Sequence, residues 1–149
     1  MSNAFLYRMG AGYAGAISRI EALVAEPNQL DRTTPPGVFG VPVKLVAGKI
    51  QICKSSDVPY GFLIRPYPTQ ANVNEALNAG TPDPNQLCDV MRSGYMQVKC
   101  TAGTPAKNAD VYFNSSTGLV QAESGTKIDN CKFMGTADSN GLVEIAYNI

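Results

Sequence analysis

Residues Gly40–Cys53 read G-V-P-V-K-L-V-A-G-K-I-Q-I-C. Val41, Val43 and Leu45 alternate with polar Lys44 between them, and after a short break Ile50 and Ile52 alternate with Lys49 and Gln51. A period of two places one set of side chains on one face of a pleated strand. The Ala47-Gly48 break suits a tight hairpin, because glycine adopts positive φ without steric cost. These fourteen residues predict two antiparallel strands and point the chain toward an all-β fold.

The pattern continues in both directions. Phe62, Leu63 and Ile64 form an uninterrupted apolar run, as in a strand covered on both faces. Val90 and, past Gly94, Met96, Val98 and Cys100 share one face, with Tyr95, Gln97 and Lys99 on the other. Val111–Phe113 and Leu119–Ala122 flank a turn at Asn114–Gly118. Asn140-Gly141 is a favoured two-residue hairpin turn, after which Val143, Ile145, Tyr147 and Ile149 alternate against Leu142, Glu144, Ala146 and Asn148. Seven or eight short strands separated by turns predict an all-β sandwich or small barrel over residues 37–149. Residues 1–36 read as an extended N-terminal arm, since Pro27, Pro35 and Pro36 oppose long regular elements, and Ile17–Val24 suit a helical turn or a strand. The Asn-, Ala- and Pro-rich stretch 71–87 reads as one long mid-chain loop.

Composition restricts the function. The 149-residue chain carries 12 basic and 12 acidic residues, with no basic block to neutralise nucleic acid or an anionic membrane. No apolar run approaches the ~20 residues of a membrane span, and no signal-peptide pattern opens the chain, so residence in the cytoplasm where it is made is expected. There is no histidine, which removes Ser-His and Cys-His nucleophile pairs. The acidic residues fall singly, and G-A-G-Y-A-G-A (Gly10–Ala16) lacks the strand–loop–helix frame of a phosphate loop. Cys53, Cys88, Cys100 and Cys131 have no zinc spacing and read as reduced core thiols, with two disulfides as the alternative. No enzyme activity, cofactor or metal is expected. Charged residues make up only 16% of the chain, which fits either a surface covered in use or an exterior rich in Asn, Thr and Ser.

Several blocks together resemble the structural cement, or head-decoration, proteins of tailed bacteriophages. They are AFLYRMGAGYAGAISR near the start, GVPVKL, YGFLIRPYPTQ, RSGYMQVK, and AGTPAKNADVYF followed by TGLV, in the family's order. The resemblance implies a β-rich, jelly-roll-like domain on the outer surface of an icosahedral capsid, made in the bacterial host cytoplasm. It also implies contact with the major capsid protein and with other copies of the same chain, a dimer being favoured over a trimer. The loop at 71–87, with T-P-D-P-N-Q, departs from the family pattern.

The residues themselves suggest which surfaces serve that role. Pro66 and Pro68 hold Tyr67 on a stiff extended segment beside Arg65, an arrangement suited to an interface anchor or to a protected sheet edge onto which Tyr67 folds back. Phe5, Leu6, Tyr7, Arg8 and Met9 either lie along a partner or close an open end of their own barrel. With Met96 and Val98 facing the core, Arg92, Tyr95 and Lys99 are left to meet a partner. The alternative functional class is a carbohydrate- or host-surface-binding module, for which the tyrosines would form the platform; a hydrolase using two carboxylates ranks behind both.

Overall fold

The computed structural model describes residues 12–66 and 81–149. The described chain is all-β, with nine strands and no helix. They are β1 (Ile17–Leu30), β2 (Pro42–Val46), β3 (Lys49–Ile52), β4 (Gly61–Leu63), β5 (Leu87–Lys99), β6 (Asp110–Phe113), β7 (Val120–Gln121), β8 (Thr126–Phe133) and β9 (Leu142–Tyr147).

Hydrogen bonding runs in the order β1-β3-β2-β4-β5-β9-β8-β6-β7, and β1 also pairs with β5. That extra pairing brings β1, β3, β2, β4 and β5 into a closed ring, while β9, β8, β6 and β7 extend the sheet from β5. Ring closure covers part of the edge that a strand otherwise exposes, at Gln29 and Leu30 of β1. β1 pairs antiparallel with β5 along most of its length and meets β3 in parallel at Gln29↔Lys49 and Leu30↔Ile50.

Two hydrophobic cores follow from this arrangement. Leu30, Val43, Ile50, Leu63, Cys88 and Val90, drawn from all strands of the ring, fill one core with Phe39 and Val41. Phe62, Ile64, Met91, Met96 and Val98 pack with Val111, Phe113, Ile128, Cys131, Phe133, Val143, Ile145 and Tyr147 in the other. β4 and the first half of β5 form the wall between the two cores, so consecutive side chains enter different ones. Phe62 goes to one core and Leu63 to the other, and both are fully buried. This is the physical reason for the unbroken apolar run. Phe62 also meets the Tyr147 ring edge-on at 5.1 Å between centroids. At Gly94 (φ +137°) β5 changes face: Met91 precedes it and Met96 follows it in the same core, five positions apart. A regular strand would send two residues of opposite parity to opposite faces.

Ala47 (φ +51°) and Gly48 (φ +79°) form the expected hairpin between Val46 and Lys49. Both positive angles match the turn whose twist suits a hairpin. Leu45, expected with Val43 on the covered face, is exposed because β4 pairs only with Pro42 and Val43 and leaves the end of β2 uncovered. The final hairpin has a different tip from the one predicted. Gly141 alone takes positive φ, its N–H donates to the Asp138 carbonyl at 3.0 Å, and the Asp138 carboxylate accepts from the Asn140 and Leu142 N–H groups. The result is a three-residue loop with a left-handed glycine rather than a two-residue Asn-Gly turn.

The largest departure from the sequence reading is β1. Within the stretch read as an arm, Ile17–Leu30 are extended but hydrogen-bonded into the sheet, and the strand passes through Pro27. Proline is tolerated there because along that part β1 has β5 on one side and, among the described residues, no ladder partner on the other. Two strands are also much longer than expected: β1 has 14 residues and β5 has 13. All four cysteines are free. Cys53, Cys88 and Cys131 are buried, and burial pushes the thiols of Cys53 and Cys88 up to about 12, as fits small core side chains.

Three surface carboxylates hold turns and strand pairs together. Asp31 accepts from Gln51 Nε2 and from the Thr33 and Thr34 N–H groups; Asp57 from Lys44 Nζ and the Lys54 N–H; Asp110 from Lys132 and Lys127. Those hydrogen bonds, led by Gln51, Lys44 and Lys132 respectively, lower all three pKa values.

Two outcomes are expected. Phe62→Ala and Leu63→Ala, although adjacent, each cost about 3 kcal/mol or more, because each empties a different core; urea unfolding measures both, and a near-neutral result for either disproves the shared wall. Depressed carboxylate pKa values contribute stability that is present above the unfolded aspartate value of ~3.9 and lost as pH falls through the folded values. The thermal midpoint therefore declines below about pH 4, and Asp57→Asn makes that decline shallower. A midpoint independent of pH down to acid conditions contradicts the assignment.

Candidate functional site

The described surface carries three arginine–tyrosine stacks, each joining parts of the chain distant in sequence. Arg19 lies 4.4 Å from the Tyr95 ring centre, Arg65 lies 4.3 Å from that of Tyr13, and Arg92 lies 3.7 Å from that of Tyr60. A guanidinium is drawn to the negative face of a ring and stacks on it as a flat group.

The first stack spans three strands. Arg19 on β1 is paired across the ladder with Tyr95 on β5, and its guanidinium forks onto Glu144 of β9 at 2.7 and 3.1 Å. Ser18 Oγ also donates to Glu144, at 2.5 Å. The Glu144 contact raises the Arg19 pKa further. Tyr95 belongs to the outer face of β5 with Gln97 and Lys99, while Met96 and Val98 are fully buried.

A second stack closes one end of the ring. Tyr60 donates its hydroxyl to Glu26 Oε1, Arg92 stacks on the Tyr60 ring, and Arg92 Nη1 stands 3.9 Å from Glu26 Oε1. The hydrogen bond to Glu26 raises the Tyr60 pKa. Arg92 follows Cys88 and Val90 on the face of β5 that lines the ring's core, ahead of the face change at Gly94. Arg92 and Tyr95, grouped by sequence reasoning as neighbours facing one partner, are thus turned to different surroundings, and each already has a partner within its own chain.

The third stack sits at the turn that precedes β1. Tyr13–Ala16 is a turn closed by the Ala16 N–H donating to the Tyr13 carbonyl at 3.1 Å, with Gly15 at φ +89°. That angle is required at the third position of a type II turn and is natural to glycine. The Gly15 N–H donates to the Gln97 carbonyl (2.7 Å), the Gln97 N–H to the Ala16 carbonyl (2.9 Å), and the Arg65 N–H to the Gly15 carbonyl (2.8 Å). No larger side chain fits at Gly15: a Cβ there would lie 2.7 Å from Phe39 Cβ. The glycine-rich run that failed as a phosphate loop is, in this part, the turn that threads the chain between β5 and the end of β4.

Among the residues expected at an interface, Arg65 is half-buried beneath this turn, Pro66 and Lys99 are exposed, and Arg92 and Tyr95 are half-buried. Phe5, Leu6, Tyr7, Arg8, Met9, Tyr67 and Pro68 lie outside the described residues. Sequence reasoning did not find Tyr13, Arg19, Glu26, Tyr60 and Glu144 as partners; a single arginine or tyrosine carries no local signal of which distant residue it will stack on. No group of three or more His, Cys, Asp or Glu side chains able to hold a metal ion occurs among the described residues.

If Arg92 serves the ring's end rather than a partner, Arg92→Ala lowers stability by about 1 kcal/mol. Arg92→Lys fails to restore it, because an ammonium cannot stack as a plane. Urea denaturation of both variants measures this, and an unchanged midpoint for Arg92→Ala would return that residue to the partner-facing set.

The comparisons with known proteins agree with the architecture. A chain from "The capsid of Myoviridae Phage XM1" is similar in fold over 99% of this chain and 97% of its own length, with a TM-score of 0.70 at 20% identity. No curated protein matches. The model of the XM1 gp53 minor capsid protein family matches residues 1–147, almost the whole chain. The chain belongs to the XM1 gp53 minor capsid protein family, and its role is a structural one in a bacteriophage capsid.

Proposed function

We propose that the protein is a capsid cement: it binds the outer surface of an icosahedral phage head, bridges neighbouring major capsid subunits, and stabilises the mature shell. The observation that carries this reading is the family match over residues 1–147, reinforced by the likeness to a chain of a phage capsid. Its partners in this reading are the major capsid protein and further copies of itself, a dimer before a trimer, with no nucleic acid, membrane, metal or cofactor. In this reading Phe5, Leu6, Tyr7, Arg8 and Met9 meet a partner chain, and Tyr67 supplies an aromatic anchor.

Several properties of the chain support a structural rather than catalytic role. There is no histidine, and Glu26, Asp31, Asp57, Asp110 and Glu144 are all engaged in holding strands and turns together. The carbohydrate-binding alternative is weakened because Tyr13, Tyr60 and Tyr95, rings a sugar platform would use, each have a face under a guanidinium.

The mechanism is linkage. A ligand that binds the assembled, expanded shell and not its separated subunits stabilises the assembly by an amount that grows with the logarithm of one plus its free concentration divided by its dissociation constant. Many symmetry-related copies need only modest contact each. Purified protein mixed with expanded, undecorated capsids should co-sediment at a fixed stoichiometry and raise the temperature at which the heads release DNA or subunits. Tyr67→Ala should weaken the binding. Failure of the unaltered protein to co-sediment, or identical melting of decorated and bare heads, rejects the cement reading.

A further inference from the structure

The bonds that close the ring show which way the backbone of β1 faces. The Asp31 N–H donates to the Ile50 carbonyl on β3 at 3.0 Å, and Gln29 and Leu30 stand beside Lys49 and Ile50 in the same parallel ladder. From Ala25 to Gln29 the pairing with β5 is regular, one residue against one. Backbone polar groups of successive residues turn to opposite edges of a regular strand. Ala25, Pro27 and Gln29 therefore share the edge that Asp31 turns to β3, while Glu26 and Asn28 face β5. β3 covers the outer edge only at Gln29 and Leu30. The next outward position is Pro27, which carries no N–H, and among the described residues no strand pairs with this edge from Ile17 to Asn28.

The other half of the edge is bent out of line. Arg19 stands opposite Tyr95 and Val24 opposite Ser93, so β1 carries extra residues between these two pairs. They bulge at Ile20–Leu23, with Ala22 in the left-handed region (φ +60°) and its carbonyl accepting from Ser93 Oγ at 2.9 Å. A bulge leaves its extra residues unpaired and breaks the line of the ladder. The straight outer edge between bulge and proline runs only from Val24 to Glu26, about 10 Å of strand. Without these two interruptions the edge would suit another strand. β1 has 14 residues, most of them exposed. Ile20 is 83% exposed and Val24 55%, both β-branched and suited to a sheet. A long, exposed apolar edge is a template for edge-to-edge association, and proline and bulges are the features that oppose it.

We propose that Pro27 and the Ile20–Leu23 bulge together guard the outer edge of β1 and bar it from pairing with the same strand of a second copy. Two copies of one edge complement each other in an antiparallel, two-fold arrangement, which is why a second copy is the pairing the guard acts against. An incoming strand meets the Pro27 ring where it needs an N–H, and the bulge where it needs a straight ladder. Under the cement reading, which crowds copies onto one shell, the guard leaves self-contact to other surfaces. The guard itself does not depend on that reading.

The test needs no capsid. In the unaltered full chain, hydrogen exchange resolved by residue should find the Ala25 N–H fast and those of Glu26 and Asn28 protected, at every protein concentration. Pro27→Val restores the N–H and adds a β-branched side chain. Its weight-average mass in sedimentation should rise with concentration to about twice that of the unaltered protein or more, with exchange at Ala25 slowed as it does so. Pro27→Thr, which restores the N–H with a polar side chain, should associate likewise and serves should Pro27→Val fail to fold. A folded variant whose mass stays equal to that of the unaltered protein overturns the guard, and so does association that leaves Ala25 fast. Protection of Ala25 in the unaltered protein, whether constant or rising with concentration, means that the edge is already covered and overturns the guard as well.

Discussion

The fold depends on β5 being hydrogen-bonded along both edges while its two faces serve different cores. On one edge it pairs with β1 and on the other with β4 and then β9. Burial of backbone N–H and C=O groups is tolerable only when they are paired, so a strand lying between two apolar cores needs a neighbour on each side. β1 meets that requirement on the first edge. Without it the ring opens, and the core holding Leu30, Ile50 and Val90 loses a wall.

This explains how a chain of modest length builds two cores. Each large side chain fully removed from water contributes roughly 1.5–3 kcal/mol, and a shared wall of alternating residues lets a single strand serve two sets of contacts. Phe62 and Leu63 are the clearest case. The face change at Gly94 lets β5 keep an apolar face in the larger core as it passes from the ring to the β9 side. The same change separates Arg92 from Tyr95, placing one at the ring's end and the other on the outer face beside Arg19 and Glu144.

Such a body suits a role in a shell. Several of its charges are spent on neighbours within the chain: Arg19 on Glu144, Arg92 on Glu26 and Tyr60, Lys44 on Asp57, and Lys127 and Lys132 on Asp110. Exposed pairs of this kind add little stability individually, but they fix side chains on a surface.

The sequence by itself determined the strand class, most strand positions, the Ala47-Gly48 and Asn114–Gly118 turns, the burial of Met96 and Val98, and the capsid family. Period-two alternation and turn residues act over a few positions and are therefore readable locally. Ladder partners are not, because backbone hydrogen bonds are the same for every residue type. Hence β1, crossed by Pro27, was legible as part of an arm in which Ile17–Val24 suited a helical turn or a strand, and its place as the strand closing the ring was decided by pairing with β5. The Arg–Tyr stacks, the wall shared by two cores, and the meeting of Tyr13 with Arg65 were likewise decided by tertiary structure alone, since each depends on residues brought together from distant parts of the chain.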